Sequence, residues 1–367
     1  MTTPARQSLI DPARITANVA AIVAAVTPAQ LLVVVKADGY GHGAVTAATA
    51  ALQGGASWLG VADISEALEL RRAGIAAPVL AWLHADLRLF PAAVAADVTL
   101  AISHARELRA ATEAGAGVVH IKIDSGLHRN GAPIDEWAGL FDEAARAERC
   151  GGPRVAGMFT HLSNASEAEN RSQLDRFDDA VRLARSAGLD PTVRHIGGTH
   201  AALTVARGRY ELVRVGIGAY GLRAEQRTPV AGVGLRPAMR LSSVVSSVRP
   251  VRAGSGVSYD YAFRADADGW LALVPFGYAD GLPRQASGSS SVSIGGRRYR
   301  VAGRIAMDQL VVATGADQRS PGEHVVLWGD GGDGAPTADE WADWAGTIGY
   351  ELVTRIGRRV ERVVGAW

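Results

Sequence analysis

The chain has 367 residues, 48% hydrophobic residues and a net charge of +1. This length favours two domains, the composition is that of a compact globular protein, and the near-neutral charge without basic patches argues against a nucleic-acid or membrane surface. The lone cysteine, Cys150, excludes internal disulfides and cysteine metal sites, and we predict no metal. Because residues 1–12 lack the apolar core of a secretory signal, we expect a cytoplasmic protein.

Eight short apolar segments in the first 220 residues are typical of repeated β–α units, because their starts lie roughly 20 to 40 residues apart. They are 31–35, 58–61, 78–83, 98–103, 118–124, 155–162, 193–197 and 212–217. Eight such units favour an α/β fold with a closed (β/α)8 barrel of the TIM type over an open doubly wound sheet. Active-site groups are then expected at the carboxyl ends of the strands.

Two helices of this half carry N-cap signals. Asp63, followed three residues later by Glu66, predicts a capping box at the start of one helix. Ser103 is the predicted cap of another helix over 105–114, which ends before Gly115.

The second half of the chain is mainly β. Four segments alternate or are rich in β-branched residues, namely 239–248, 269–276, 291–301 with a Gly-Gly turn, and 324–328. A late helix over 337–345 is predicted from Thr337 as cap with Glu340 three residues on. We therefore predict a barrel domain over 1–230 and an antiparallel β domain over 231–367, with about the first 12 residues packing against the latter.

Only two of the 38 basic residues are lysines, Lys36 and Lys122. A guanidinium cannot lose its proton in a protein or form an imine, whereas an amine can do both. Lys36 follows the first predicted strand and opens the Gly-rich segment 36–43. These two lysines therefore call for a chemical explanation, and Lys36 is predicted to be a reactive amine.

Other polar side chains and glycines follow the predicted strands. They are Tyr40 after strand one, Lys122 and Arg129 after strand five, His161 at the end of strand six, Gly197 to His200 after strand seven, and Arg214 to Gly218 at strand eight. Glycines at this rim expose backbone N–H groups where barrels bind phosphate. An amine facing a phosphate site suggests pyridoxal phosphate.

These motifs make the chain resemble bacterial alanine racemases over essentially its whole length. The segments that carry the resemblance are 35–43, 122–126, 214–221, 257–259, 277–281, 307–309 and 346–351. The resemblance implies a fold type III enzyme dependent on pyridoxal 5'-phosphate. It also implies a homodimer in which each barrel holds the cofactor and the partner's β domain completes the site.

The resemblance further implies catalytic roles. Lys36 would hold the cofactor and act as base on one face of the substrate α-carbon, while Tyr259 of the partner subunit would serve the opposite face. His161 would stabilise the tyrosine as phenolate and would itself be polarised by Arg214. The same arginine would pair with the pyridine nitrogen of the cofactor and limit transamination.

Supporting roles are implied in the same way. Arg129 would contact the cofactor and the substrate, and Met307 and Asp308 would receive the substrate carboxylate across the dimer interface. Lys122 would be carbamylated and orient Arg129, although a plain salt bridge is an alternative for it. The remaining implied cofactor contacts are Tyr40, Trp82, Gly198, Thr199, Gly216, Ile217 and Tyr350.

Several positions depart from the family pattern. Gly198 and Thr199 replace the usual Asn and Ser, His200 is an additional titratable group, and Ala306 replaces a Cys. We expect interconversion of L- and D-alanine for peptidoglycan. A racemase for another amino acid in secondary metabolism remains an alternative, as does a degenerate protein that binds the cofactor or an inhibitor and confers self-resistance.

Two related classes fit less well. A single-barrel pyridoxal phosphate carrier has no counterpart of Tyr259. A related two-domain decarboxylase uses a partner-subunit cysteine, whereas Ala306 stands in the partner-edge motif here and the lone Cys150 lies far from it.

Overall fold

A computed structural model describes residues 5–224 and 233–367. After an N-terminal strand, Arg6–Ile10, the first half forms a closed barrel of eight parallel strands. The barrel strands are Gln30–Val34, Trp58–Val61, Val79–Ala81, Val98–Ile102, Val118–Lys122, Arg154–His161, Val193–Gly197 and Leu212–Val215. The first and last of these pair with each other, which closes the barrel and confirms the predicted fold class.

All eight predicted barrel segments are strands, but several end earlier than predicted. The predicted 118–124 ends at Lys122, and the predicted 212–217 ends at Val215. At Gly216 the backbone leaves the extended region, with φ −110° and ψ −96°. The chain turns where the strands reach the rim, so the last apolar residues of each segment belong to rim loops.

Helices surround the barrel. They are Pro12–Val26, Ala44–Gln53, Ile64–Arg72, Phe90–Ala95, Ala105–Glu113, Trp137–Arg149, Glu167–Ser186 and Thr199–Thr204, whereas Lys36–Tyr40 after the first barrel strand is a short turn whose residues 37–40 have positive φ. The capping box of Asp63 and Glu66 is confirmed. The predicted Ser103 cap is wrong: His104 is the N-cap residue and makes no side-chain cap bond. Instead, Glu107 reaches back and accepts from the backbone N–H of Ser103 at 2.6 Å.

The second half supplies a two-stranded ribbon and eight strands of a nine-stranded, mostly antiparallel sheet, whose ninth strand is Arg6–Ile10. Its strands are Met239–Val244, Ser247–Val251, Gly269–Val274, Ser291–Ile294, Arg297–Val301, Leu310–Gly315, His324–Trp328 and Glu361–Val364 in the large sheet, and Gly256–Val257 with Phe263–Arg264 in the ribbon. The hairpin turn at Gly295 and Gly296 is confirmed, and both have positive φ, 60° and 78°. Two further helices, Ala338–Ala345 and Gly349–Thr354, follow, and the former begins with the predicted Thr337 capping box.

One predicted strand, 239–248, is two strands in the structure. Val245 donates its N–H to Glu323 and Ser246 donates to Leu273, so the chain crosses there from one partner strand to another. Three strands of the large sheet were not predicted, namely Arg6–Ile10, Leu310–Gly315 and Glu361–Val364.

The N-terminal strand Arg6–Ile10 belongs to the large sheet. It lies between Met239–Val244, with which it is antiparallel, and Glu361–Val364, with which it is parallel. The predicted domain boundary at 230/231 lies outside the described residues. Across 5–224 and 233–367, no helix is both long and apolar enough to cross a membrane.

Gly221 lies where the chain leaves the barrel. Its φ is +77°, and a Cβ there would overlap the backbone of Arg236. Gly254 has almost the same φ, +78°, but nothing lies within 4 Å of its Cβ position. The two glycines therefore share the backbone strain that an alanine would suffer and differ in the clash alone.

We predict that Gly221→Ala lowers the thermal midpoint clearly more than Gly254→Ala does. The glycine-specific φ alone should cost about 1 kcal/mol in each variant, and the clash should add about 2 kcal/mol or more at position 221. Differential scanning calorimetry of the two variants checks this, and equal midpoints would contradict the close approach to Arg236.

Candidate active site

A cavity of about 330 Å³ opens at the carboxyl ends of the barrel strands. It brings together most of the side chains and glycines that the sequence singles out. The predicted residues that line it are Lys36, Tyr40, Trp82, Lys122, Arg129, His161, Gly198, Thr199, Arg214, Gly216, Ile217 and Tyr350. Residues far apart in sequence converge because the parallel strands present their ends at one rim.

Lys36 opens a turn with unusual backbone geometry. The next residues Ala37, Asp38, Gly39 and Tyr40 all have positive φ, between 51° and 61°. Successive left-handed residues cost free energy and persist where surrounding contacts fix them. Here the N–H of Ala37 donates to Glu66 at 2.6 Å, and the Asp38 carboxylate accepts from Ala44 at 2.8 Å. These contacts hold the turn that places Lys36 and Tyr40 at the cavity.

The cavity is strongly cationic. Four lining residues carry Lys or Arg side chains, and none of the described lining residues is Asp or Glu. Burial lowers the pKa of Lys36, the Arg129 cation lowers it further, and Glu66 opposes the change. A larger fraction of Lys36 is therefore the neutral, nucleophilic amine at a given pH.

The pKa of the Lys122 amine is also lowered, and by a large amount. Burial, followed by the nearby cations Arg214 and Arg129, lowers its pKa to about 8. Within 5–224 and 233–367, Lys122 makes no ion pair, so the plain salt bridge considered for it is not observed. A neutral amine is the form that can add carbon dioxide, and carbamylation of Lys122 stays a prediction.

Arg214 lies behind the cavity and is 5% exposed. It donates to the carbonyl of Thr160 at 2.8 Å and to His195, at Nδ1 (2.9 Å) and at the carbonyl (3.2 Å). Gly197 leaves room for it, because a Cβ there would overlap the guanidinium. Burial and Arg129 lower the pKa of Arg214 to about 9, so it remains a cation at neutral pH.

His161 is adjacent to this cation. Burial, with Arg214 as the next cause, lowers the pKa of His161 to about 3, so its imidazole is neutral at pH 7. No hydrogen bond joins the two side chains within the described residues. The influence of Arg214 on His161 is therefore electrostatic.

Part of the cavity wall is formed by backbone, at residues 198–199 and 216–217. Gly198 has φ +113° and precedes the short helix Thr199–Thr204, whose first hydroxyl accepts from the N–H of Gly218 at 3.1 Å. A Cβ at Gly216 would overlap the Tyr40 hydroxyl. Tyr40 stacks on Tyr220 at 4.9 Å, and burial raises its pKa, so it remains a protonated donor. Exposed amides and a hydroxyl donor beside an excess of cations suit a phosphate group.

The residues therefore fit pyridoxal phosphate. An amine with a lowered pKa lies in the same cavity as a phosphate-type surface made from residues 198–199 and 216–217. The aromatic side chains Tyr40, Trp82 and Phe159 line the cavity as well, and these can pack against a planar ring.

The predicted partner-facing residues do not line this cavity. Tyr259 and Met307 lie on the second domain in a separate depression, beside Arg284 and Arg304. Their exposed fractions are 67% and 53%. Asp308 is next to Met307 in sequence and pairs with Arg359 at 2.7 Å. One chain alone thus carries the two predicted bases on different surfaces.

The sequence patterns do not predict three residues of this region. Asn164 lines the cavity, His195 accepts from Arg214, and Glu66 anchors the turn after Lys36. Of these three residues, only His195 could have been noticed in the sequence, because it is a polar residue within a predicted buried strand. Glu66 is recognised as a capping residue, but its contact with Ala37 depends on tertiary structure.

Since the chain has two lysines, Lys122 can be followed alone by ¹³C NMR of lysine-labelled, cofactor-free Lys36→Ala protein under carbon dioxide-free nitrogen. We predict a titration with its midpoint about 8, with the cationic form below and the neutral amine above. Arg129→Met should raise the midpoint, because it removes a neighbouring positive charge. A midpoint near the reference value of about 10.4 would contradict the described environment.

Comparisons with known proteins agree with this geometry. Residues 10–224 match the family model for the alanine racemase N-terminal domain, and residues 238–364 match that for the C-terminal domain. The chain is 45% identical to an alanine racemase of Thermobifida fusca over 97% of both chains. The crystal structure of alanine racemase from D-cycloserine producing Streptomyces lavendulae superposes with a TM-score of 0.94, at 41% identity over 100% of this chain and 98% of that one. Alanine racemase from Streptomyces coelicolor gives 0.93, at 41% identity over 98% and 97%. The chain therefore belongs to the alanine racemase family, whose members are isomerases acting on alanine.

Proposed function

We propose that this protein interconverts L- and D-alanine with pyridoxal phosphate as cofactor, using two bases on opposite faces of the substrate, and that it supplies D-alanine for peptidoglycan. The observation that carries the proposal is the rim cavity itself. It combines a lysine of lowered pKa, a phosphate-type backbone surface and an excess of positive charge. The expected cytoplasmic location stays a prediction.

The cofactor, when bound, withdraws electrons from the α-carbon of an attached amino acid and so acidifies its C–H bond. Lys36 holds the cofactor through its amine, and Gly198, Thr199, Gly216 and Ile217 bind the phosphate. Arg214, a cation at neutral pH, would pair with the ring nitrogen and would not readily give a proton to it. This would favour return of the proton to the α-carbon over transamination.

Lys36 takes the α-proton from one face and returns it in the reverse direction. Tyr259 of a second copy of this chain does so on the other face, and each base ends protonated when the other has given up its proton. A phenolate entering this cavity meets two lysine and two arginine side chains and no carboxylate among the described lining residues. Neutral His161 can donate a hydrogen bond to the phenolate without adding charge.

Exposure of the second domain supports the homodimer. Tyr259 and Tyr261 are 67% and 61% exposed, and the neighbouring Met307 is 53% exposed. Tyr259 lies on a strained turn, since Ser258, Asp260 and Tyr261 have φ of 62°, 57° and 47°. The Asp260 to Arg304 ion pair at 2.8 Å holds this turn. Strained, exposed aromatic residues suit a surface that a partner subunit covers.

Substrate recognition is proposed for Arg129, Met307 and Asp308, of which the last two come from the second copy. The departures at Gly198 and Thr199 lie at the phosphate end of the cavity. A Cβ at Gly198 would meet Asn164 and His161 only at ordinary distances, 3.9 and 4.0 Å, so this glycine relieves no clash. The comparisons do not favour the secondary-metabolism or degenerate alternatives.

We predict recovery of activity when two inactive variants share a dimer. Lys36→Ala and Tyr259→Phe should each lose more than about 100-fold in racemisation. Mixed dimers isolated after co-expression by a different tag on each chain should have about half of wild-type activity, because each has one intact site of two.

The matched control mixes Lys36→Ala with the Lys36→Ala/Tyr259→Phe double variant, which leaves no intact site. Racemisation is measured on doubly tagged dimers by a D-amino-acid oxidase assay. Absence of recovery in the first mixture would contradict a site shared between subunits.

Substrate choice is tested by α-proton exchange in deuterium oxide, followed by NMR with each enantiomer of alanine, serine and several larger amino acids. We predict that alanine exchanges faster than the others and that Lys36→Ala protein exchanges none. Exchange confined to another amino acid, or to no amino acid with the cofactor bound, would overturn the proposed function.

A further inference from the structure

Three buried side chains on three barrel strands form one hydrogen-bonded chain. Arg214 donates from Nη1 to Nδ1 of His195 at 2.9 Å, and Nε2 of His195 lies 2.9 Å from Nδ1 of His120. The two histidines are 0% and 1% exposed. They lie on Val193–Gly197 and Val118–Lys122, which are separated by the strand Arg154–His161. The chain passes this strand at Gly157, where any Cβ would overlap the His120 ring.

The direction of every hydrogen bond in this chain is fixed by chemistry. A guanidinium can only donate, so Nδ1 of His195 must be the acceptor and its ring hydrogen must lie on Nε2. That N–H then donates to Nδ1 of His120, whose own hydrogen must lie on Nε2. Protonation of either ring would place two hydrogens in one of the two contacts. The arrangement therefore allows one tautomer for each ring and no charge on either.

The other contacts of Arg214 are neutral as well. They are the carbonyls of Thr160 and His195 and the face of Phe159, whose centroid is 4.7 Å from the guanidinium carbon. Phe159 also stacks on His195 with ring centroids 4.6 Å apart. No described carboxylate pairs with Arg214, so its positive charge is not cancelled on the side away from the cavity.

The charged groups that act on the histidine pair are cations. Burial and then Arg214 lower the pKa of His195, with His120 as a smaller cause. Burial, Arg214 and Arg154 lower the pKa of His120 to about 3. Both rings are therefore neutral throughout the physiological range, in agreement with the hydrogen-bond directions.

We propose that His195 and His120 are positioning residues that hold Arg214 in a single orientation by neutral contacts. The positive charge of Arg214 then acts on the cavity without being cancelled by a neighbouring carboxylate. This inference rests on the proposed function for its catalytic consequence, though not for its geometry. A carboxylate in place of His195 would also orient the arginine, but it would offset the positive charge of Arg214. That charge, together with burial, keeps His161 neutral, and it is the charge proposed to face the cofactor ring.

The tautomers can be measured directly on the cofactor-loaded protein by ¹⁵N NMR of its nine histidines, assigned with single variants. We expect His195 and His120 to carry hydrogen on Nε2 and to remain unchanged between about pH 5.5 and 9. His42 is an internal control for the other tautomer. Its Nδ1 lies 3.1 and 2.8 Å from the carbonyl oxygens of Gly39 and Tyr40 and must therefore carry the hydrogen.

Hydrogen on Nδ1 of His195, or titration of either ring in this range, would overturn the proposal. This spectrum does not depend on catalysis, so its failure is distinguishable from failure of the proposed racemase function.

Two variants at position 195 test the catalytic consequence. Asn retains an acceptor near the position of Nδ1, whereas Leu removes it. We expect His195→Leu to lower kcat by roughly 10- to 100-fold with a much smaller change in KM, and to increase transamination during turnover, measured as pyruvate released. His195→Asn should recover most of kcat.

Equal losses in the two variants, or no loss in either, would contradict a positioning role. Thermal midpoints of both variants are measured alongside, so that a general loss of stability is recognised as such. If the Leu variant does not fold, the tautomer spectrum of the unaltered protein still decides the question.

Discussion

The electrostatics of the cavity depend on one buried guanidinium that no described carboxylate neutralises. Burying an unpaired charge costs several kcal/mol, and proteins usually avoid it or supply dense hydrogen bonding in return. Arg214 has such bonding, all from neutral acceptors. Burial and, after it, the charge of Arg214 lower the pKa values of His161, His195 and Lys122. The buried cation thus helps to keep both imidazoles neutral at pH 7 and raises the neutral fraction of Lys122.

A second constraint is the division of chemistry between two surfaces. The barrel supplies the amine, the cations and the phosphate-binding backbone, while Tyr259 lies on the second domain with two thirds of its surface exposed. The backbone around this tyrosine is strained, with positive φ at Ser258, Asp260 and Tyr261. Pre-formed geometry of this kind reduces the ordering that association would otherwise require. Binding of a second copy would then complete a site with little rearrangement.

Much of the barrel is predictable because its strands are largely buried and form short apolar segments, such as 31–35 and 58–61. Capping by Asp63 and Thr337 is also predictable, since it depends on residues within one turn. The Ser103 cap fails because His104, one residue later, is the N-cap residue, and the side chain that bonds the backbone there is that of Glu107. The strand Arg6–Ile10 could not be predicted, because its two partners come from residues more than 200 positions later.

The candidate site likewise combines features that local sequence predicts with features that depend on contacts between distant residues. Residues that follow predicted strands converge because barrel topology demands it, and this places Lys36, Lys122 and Arg214 together. The left-handed turn after Lys36 and the histidine chain behind Arg214 depend on contacts between separate strands and helices. Local sequence contains no information on such contacts, although a histidine in a buried strand such as His195 indicates that one exists.

The position of Arg6–Ile10 within the large sheet bears on how the protein is made. This strand is synthesised well before its neighbours Met239–Val244 and Glu361–Val364, which lie more than 200 residues further along the chain. The barrel can close while the nascent chain still lacks them. During that interval the first strand has both edges unpaired, which makes it a template for association with other chains. Synthesis and pairing of Met239–Val244 and Glu361–Val364 thus remove an aggregation hazard that Arg6–Ile10 creates.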